Sequence, residues 1–275
     1  MLAVAVLLGL AAGEATHIDA DWKQLAPGIE LKLLDAQQSS HVGDSRIAVV
    51  RVDPKSWQLA LVGRSGTGEK TGRTAREWAQ GHDLAVAINA GMFAPDYTTH
   101  VGYLESEGQV SSSRINPYQS VAAFDPRDRE NRPAFRIFDL DAPGVTVQTI
   151  RQDYASLVQN LRLIKRPGTN RWSQQDEKWS EAALAEDEQG RVLFVLSRSP
   201  FSMYDLVREL LSAGMGVVAA QHLEGGRLAQ LYLNVGGVEL ELFEGSGSPF
   251  ALDSGNATAW PIPNVLGVRR RPGVK

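Results

Sequence analysis

The sequence predicts an α+β fold: a mixed β-sheet core with several β-hairpins and a C-terminal βαβ unit. Three observations predict it. Short apolar runs of strand length recur along the chain, too brief for helices. Turn residues punctuate them at Asp53-Pro54-Lys55-Ser56, Glu107-Gly108 and Gly236-Gly237. Near the C-terminus an apolar run, a capped amphipathic segment and a second apolar run follow one another with short connections. With 43% apolar and 22% charged residues in 275, the chain has ample material for a core.

The chain opens on MLAVAVLLGLAAGEA, an apolar stretch below the ~20 residues a membrane-spanning helix needs. Small residues follow it at the spacing of a cleavage site, so residues 1–15 read as a signal peptide and 16–275 as one domain. A buried N-terminal strand or helix is the other reading. The expected location is periplasmic or secreted, with no stable membrane insertion after leader removal. The sequence has no cysteine, which excludes disulfides, thiolate nucleophiles and thiolate-bound zinc.

Arg46 to Val52 and Trp57 to Gly63 read as a hairpin turning at Pro54. Thr74 and Glu77 have capping-box spacing, and Gly81 marks a helix end. Leu84 to Ile88 is a strand ending in Asn89-Ala90-Gly91-Met92-Phe93, and Val101 to Ser113 a hairpin. Val121 to Phe124, Phe135 to Phe138 and Val145 to Ile150 read as further β runs, and Arg162 to Ser180 as a surface loop. Val192 to Leu196 is a strand, Ser202 caps a helix with Asp205 three residues on, Gly214 ends it, and Val217 to Leu223 is the next strand. The two strands should lie parallel and close together. Leu231 to Asn234 pairs with Val238 to Leu242, Gly245 to Ser248 is a flexible loop, and Val265 to Val268 is a last strand.

A formal net charge of −4 argues against a nucleic-acid partner, and Arg269-Arg270-Arg271 reads as a solvated end. GRSGTGEKT imitates a phosphate-binding loop, but Glu69 separates Gly68 from Lys70 and puts an anion where phosphate would sit. The five histidines are scattered without metal-binding spacing, and no G-x-S-x-G appears. No cofactor or metal is predicted; a divalent cation such as calcium stays open on Asp139 and Asp141. What remains is polar strand ends. Strands joined by one crossover helix bring their C-terminal ends to one sheet edge, so Arg198 and Glu224 are candidates for one cleft.

Three segments in order carry a resemblance: AINAGMFAPDYTTHVGYLESEGQV from Ala87, WSEAALAEDEQGRVLFVLSRSPFSMYDLVRELL from Trp179, and Leu223-Glu224-Gly225-Gly226. Together they resemble the phosphodiester glycosidase family over about Ile47 to Val268. The departures are Glu224 where the family commonly has Asp, bulky Arg227 after the glycines, and Lys178-Trp179-Ser180-Glu181 where many relatives carry an arginine.

The resemblance implies an exported hydrolase acting at the anomeric carbon of a sugar phosphodiester. Such hydrolysis conventionally uses two carboxylates. The departing phosphomonoester has a second pKa of about 6, which shifts the burden from a general acid to the base, nucleophile or cation stabiliser. Glu224 fits that role, with Asp96 or Glu181 as the second carboxylate; spacing does not rank these two. Phosphate would take the backbone N–H groups of Gly225 and Gly226 and the charges of Lys165, Arg166 and Arg198. Asn89 would bond a sugar hydroxyl, with Gly91 allowing close approach. Each has a plainer reading: Glu224 a solvated turn, Arg198 a surface ion pair, Asn89 an Asx-turn, His222 a packed core histidine. The alternative for the whole chain is a non-catalytic periplasmic glycan- or phosphate-binding protein, with Trp172 and Trp179 stacking on sugar.

Overall fold

The computed structural model of the chain describes residues 22–68, 70–244 and 258–271. The expected leader, Glu69 and the expected loop at Gly245–Ser248 lie outside the described residues. The fold is α+β and mostly β, with the strands in three sheets. The largest sheet orders its eight strands Lys23–Ala26, Ile29–Asp35, Arg46–Val52, Val192–Phe201, Trp179–Asp187, Val217–Gly225, Arg162–Lys165 and Thr169–Asn170. The second runs Gln109–Ser112, Leu104–Ser106, Tyr154–Asn160, Ser120–Pro126 and Phe135–Asp139. The third runs Val238–Phe243, Gln230–Val235, Val86–Asn89, Asn264–Arg270 and Trp57–Gly63. One apolar cluster joins all three, with Leu31, Val50 and Phe194 from the first, Phe124 and Val158 from the second, and Ile88 and Leu231 from the third.

Caps and turns form where the sequence places them. The Thr74 hydroxyl accepts from Glu77 N at 3.2 Å and Glu77 Oε2 accepts from Thr74 N at 2.8 Å, closing the box on helix Ala75–Gly81. The Ser202 hydroxyl accepts from Asp205 N at 3.1 Å and starts helix Met203–Ser212, whose Met203, Leu206, Val207 and Leu210 are buried on the large sheet. Gln230–Val235 and Val238–Phe243 meet at a two-residue turn in which Gly236 and Gly237 both take positive φ, 62° and 75°.

Four expectations are corrected. Val192–Phe201 and Val217–Gly225 do share a direction, but they are not neighbours: Trp179–Asp187 lies between them, antiparallel to both. A tight turn, Gly190 N to Asp187 O at 2.9 Å, lets Trp179–Asp187 pair first with Val192–Phe201, so the crossover passes over one strand. Arg46–Val52 and Trp57–Gly63 have the expected bounds but are no hairpin; they pair in different sheets, with Val192–Phe201 and Asn264–Arg270. The turn at Asp53 carries the chain from one sheet to the other.

Val147–Asp153 is a helix, not a strand. A second capping box, between Thr146 and Thr149, outweighs the local β preference, and Val147 and Ile150 are buried. Within Arg162–Ser180, Arg162–Lys165 and Thr169–Asn170 add edge strands, leaving residues 171–178 outside strands.

A Cβ on Gly236 would lie 1.9 Å from Leu25 O, whereas one on Gly237 would meet nothing within 4 Å. Gly237→Ala therefore carries only left-handed strain, about 1–2 kcal/mol, and Gly236→Ala adds a backbone clash on top of it. Urea unfolding should show the larger loss for Gly236→Ala. Equal midpoints would mean that this turn does not pack on Leu25.

Candidate active site

The C-terminal end of Val217–Gly225 carries His222, Glu224 and Gly225 beside Glu181 of the neighbouring strand. The register pairs Glu181 with Gly225, Ala182 with Glu224 and Ala183 with His222, with a bulge between Ala182 and Ala183. Such a bulge accommodates one extra residue, here Leu223, and re-aims the side chains on either side. His222 Nδ1 bonds Glu181 Oε1, and both side chains are buried. Trp179 Nε1 donates to Glu181 Oε2 at 2.6 Å. Both Glu181 oxygens are thus occupied, which makes Glu181 an anchor for the imidazole.

Trp179 also explains Gly225, because a Cβ there would fall 2.7 Å from Trp179 Cδ1. The Ser180 hydroxyl donates to Gly226 O at 2.8 Å and fixes the next residue of the turn. Asn89 pins its far end, with Nδ2 donating to Leu228 O at 2.8 Å and Oδ1 accepting from Gln230 N at 2.8 Å. Both ends of the Asn89 amide therefore hold the Glu224 turn from the third sheet.

Glu224 is half-buried and accepts from Gly225 N at 3.0 Å. Burial pushes its carboxyl up to about 7, against the Gly225 hydrogen bond and the His222 charge, while Glu181 adds repulsion. For His222, burial opposes the charge, but the adjacent Glu181 carboxylate, its hydrogen bond and Glu224 together hold the pKa above the ordinary imidazole value. The arrangement is a buried imidazole whose charged form Glu181 and Glu224 favour, beside a carboxyl, Glu224, raised to about 7. That suits proton transfer at Glu224.

On the other side of the Asn89 strand end, Gly91 permits a close approach. A Cβ on it would lie 2.2 Å from Asn160 Oδ1 and 2.6 Å from His100 Cε1. Asn160 Nδ2 donates to Ala90 O at 2.9 Å, tying the second sheet to this strand end. Gly91 thus packs on protein side chains in this structure.

The remaining sequence candidates are engaged elsewhere. Asp96 is fully exposed and accepts from Thr98 N, Thr99 N and the Thr99 hydroxyl, which pull its pKa down to about 2. Arg198 bonds Asp44, and Ser197 beside it pairs with Glu181 on the intervening strand. Arg166 bonds Glu186 at the opposite end of Glu181's own strand, five residues and about 17 Å away. Lys165 bonds Asp141 at 2.6 Å, and Arg162 reaches both Asp139 and Asp141, so cationic side chains face the two carboxylates considered for calcium. Among the described residues no three His, Asp or Glu side chains gather as metal ligands.

Two features near the turn were not singled out as site residues from sequence. His222 is buried as expected, yet paired with a carboxylate; Glu181 and His222 stand 41 residues apart, and no local signal links them. Arg227, one residue past Gly226, is exposed and stacks over Trp260 at 6.0 Å; among the described residues no carboxylate pairs with it. Its charge, directly after two glycines, was the available signal.

The sequence profile of the phosphodiester glycosidase family matches residues 82–269. None of the curated proteins matches the chain. Among solved structures, the catalytic domain of zebrafish N-acetylglucosamine-1-phosphodiester alpha-N-acetylglucosaminidase, auto-inhibited by its pro-peptide, is similar with a TM-score of 0.62. It is 15% identical, over 88% of this chain and 82% of that one. A hypothetical protein from Synechocystis has a TM-score of 0.61 at 16% identity, over 89% of this chain and 62% of its own. At these identities the two structures show a shared fold.

A buried carboxyl costs stability once it ionises. The folded state holds the Glu224 proton up to about pH 7, the unfolded chain only to about 4.5, so this contribution is complete below 4.5 and is lost as pH rises through 7. The melting temperature of Glu224→Gln minus that of the wild type should therefore grow from pH 4.5 to 7 and then level off. A difference that stays flat would place Glu224 in solvent.

Proposed function

On the premise that this chain belongs to the phosphodiester glycosidase family, we propose that it is an exported hydrolase cleaving a glycosyl phosphodiester at the anomeric carbon. The observation that carries the proposal is Glu224, a half-buried carboxyl brought to about pH 7 next to the His222–Glu181 pair. In its ionised form Glu224 takes a proton from the attacking water. The water oxygen bonds the anomeric carbon, the carbon–oxygen bond to phosphate breaks, and its electron pair leaves with the phosphomonoester. That leaving group has a second pKa of about 6 and departs without a strong general acid, so one titrating carboxylate suffices. His222 offsets the negative charge on Glu224 as it ionises, and Glu181 keeps the imidazole charged and oriented.

Phosphate needs donors, and the engaged side chains of Lys165, Arg166 and Arg198 shift that role. The N–H groups of Gly225 and Gly226 remain candidates, joined by Arg227, whose charge meets only an indole face among the described residues. At most about 11 Å of backbone separates Arg227 from Glu224. The apolar stretch within residues 1–15 supports export.

The purified protein should release phosphomonoester from sugar 1-phosphodiesters, with kcat/KM rising with pH through about 7 as Glu224 loses its proton. Glu224→Gln should lower kcat by about 10²–10⁴-fold. Turnover equal to wild type would remove Glu224 from the mechanism, and saturable sugar binding with no product would favour the binding-protein reading. Arg227→Ala should raise KM for the diester and weaken its salt dependence, while leaving kcat near wild type. An unchanged KM would take the phosphate away from Arg227.

A further inference from the structure

A cavity of about 310 Å³ opens at the end of the third sheet away from Asn89 and the Glu224 turn, and the proposed chemistry does not use it. Four neighbouring strands present their ends there. Trp57 begins Trp57–Gly63, Arg270 ends Asn264–Arg270, Leu84 leads into Val86–Asn89, and Val235 ends Gln230–Val235. The register fixes these ends: Arg270 pairs with Trp57, Ala85 N donates to Val268 O at 2.8 Å, and Asn234 N donates to Ala85 O at 2.8 Å. Helix Ala75–Gly81 lines one side through Gln80, and Asp83 follows it.

Two opposite charges line this cavity, Asp83 and Arg270, and both side chains are exposed to it. Among the described residues neither has an ion-pair partner, and they do not pair with each other. Each has a reason to stay in place. Arg270 lies over the Trp57 ring at 5.2 Å, which keeps the guanidinium on that wall. Asp83 takes a φ of 53° in the turn that ends the helix, where Leu84 N donates to Ala79 O at 3.0 Å. The charges behind the Tyr232 wall are already compensated: the Tyr232 hydroxyl donates to Glu239 at 2.9 Å, and Arg76 bonds both Glu239 and Glu241. Asp83 and Arg270 are therefore the two charges left for a ligand.

A ligand of single charge is drawn to one of these groups and repelled by the other. That disfavours a simple anion or a simple ammonium. A metal ion is disfavoured too, since one carboxylate facing a guanidinium is a poor ligand set for it. A zwitterion meets both charges at once. We infer that this cavity binds a small zwitterion of the α-amino-acid class with an apolar side chain. Its carboxylate takes the Arg270 fork, its ammonium takes Asp83, and its side chain packs on Leu84 and Val235. The volume stands at the lower end of the range for small-molecule pockets, about 300–1,000 Å³, as a ligand of that size requires. The site lies at the far end of the Asn89 strand from Glu224 and does not rest on the hydrolase reading.

The test is a titration of the full protein with leucine, valine and alanine, following the ¹⁵N–¹H signals of the Trp57 indole and the Leu84 amide. At least one amino acid should move both signals saturably. Its N-acetyl derivative lacks the ammonium and its amide lacks the carboxylate, so each should bind about tenfold more weakly, the loss of one charge-assisted contact. Asp83→Asn keeps a residue suited to positive φ and should weaken the free amino acid by a similar factor. If none of the three amino acids moves these signals at millimolar concentration, the site is refuted. Equal affinity for the free amino acid and either derivative, or an unchanged affinity in Asp83→Asn, would refute it as well. The comparison of derivatives uses the wild-type protein and does not depend on how the variant folds.

Discussion

A histidine paired with one carboxylate inside the large sheet is the interaction on which the candidate site depends. His222 is buried, and burial alone would lower its pKa. Glu181 reverses that, and Trp179 occupies the other Glu181 oxygen so that the carboxylate has a fixed place. Removing one partner of such a buried pair leaves the other charge uncompensated, a loss of about 3–5 kcal/mol, so the arrangement is strongly self-selecting once formed. Glu224 is set against this pair and feels its electrostatics: burial raises its pKa while His222 favours the ionised form.

The supports come from all three sheets. The large sheet supplies the pair and the Glu224 turn, the third sheet holds that turn through the Asn89 amide, and the second reaches the Asn89 strand end through Asn160. Gly225 and Gly91 sit where a Cβ would strike Trp179 or Asn160, so the side-chain-free positions are places of close packing. The candidate polar groups are held here by strands, with Arg227 stacked over Trp260 on the exposed rim.

Local chemistry made part of this legible in the sequence. The Thr74–Glu77 box, the Ser202 cap and the Gly236-Gly237 turn are short-range devices, and each folds as its residues dictate. The Val147–Asp153 helix was missed because Val147, Thr149 and Ile150 favour strands locally, while the cap that decides the matter lies in the Thr146–Thr149 pair. Strand partners were less readable still. Trp57–Gly63 pairs with a strand some two hundred residues later, and nothing local in Asp53-Pro54-Lys55-Ser56 reveals that the turn joins two sheets. The same limit applies to the site. Glu181 and Glu224 could be nominated as chemically suitable, but the engagement of Arg198 by Asp44, 154 residues away, is a tertiary fact.

The central claim is that Glu224 titrates near neutrality because it is buried beside the His222–Glu181 pair. Its side-chain carboxyl can be followed directly by ¹³C NMR across pH 3 to 9, assigned by loss of the resonance in Glu224→Gln. The account predicts a midpoint near 7. A midpoint at or below about 4.5, the ordinary glutamate value, would contradict it.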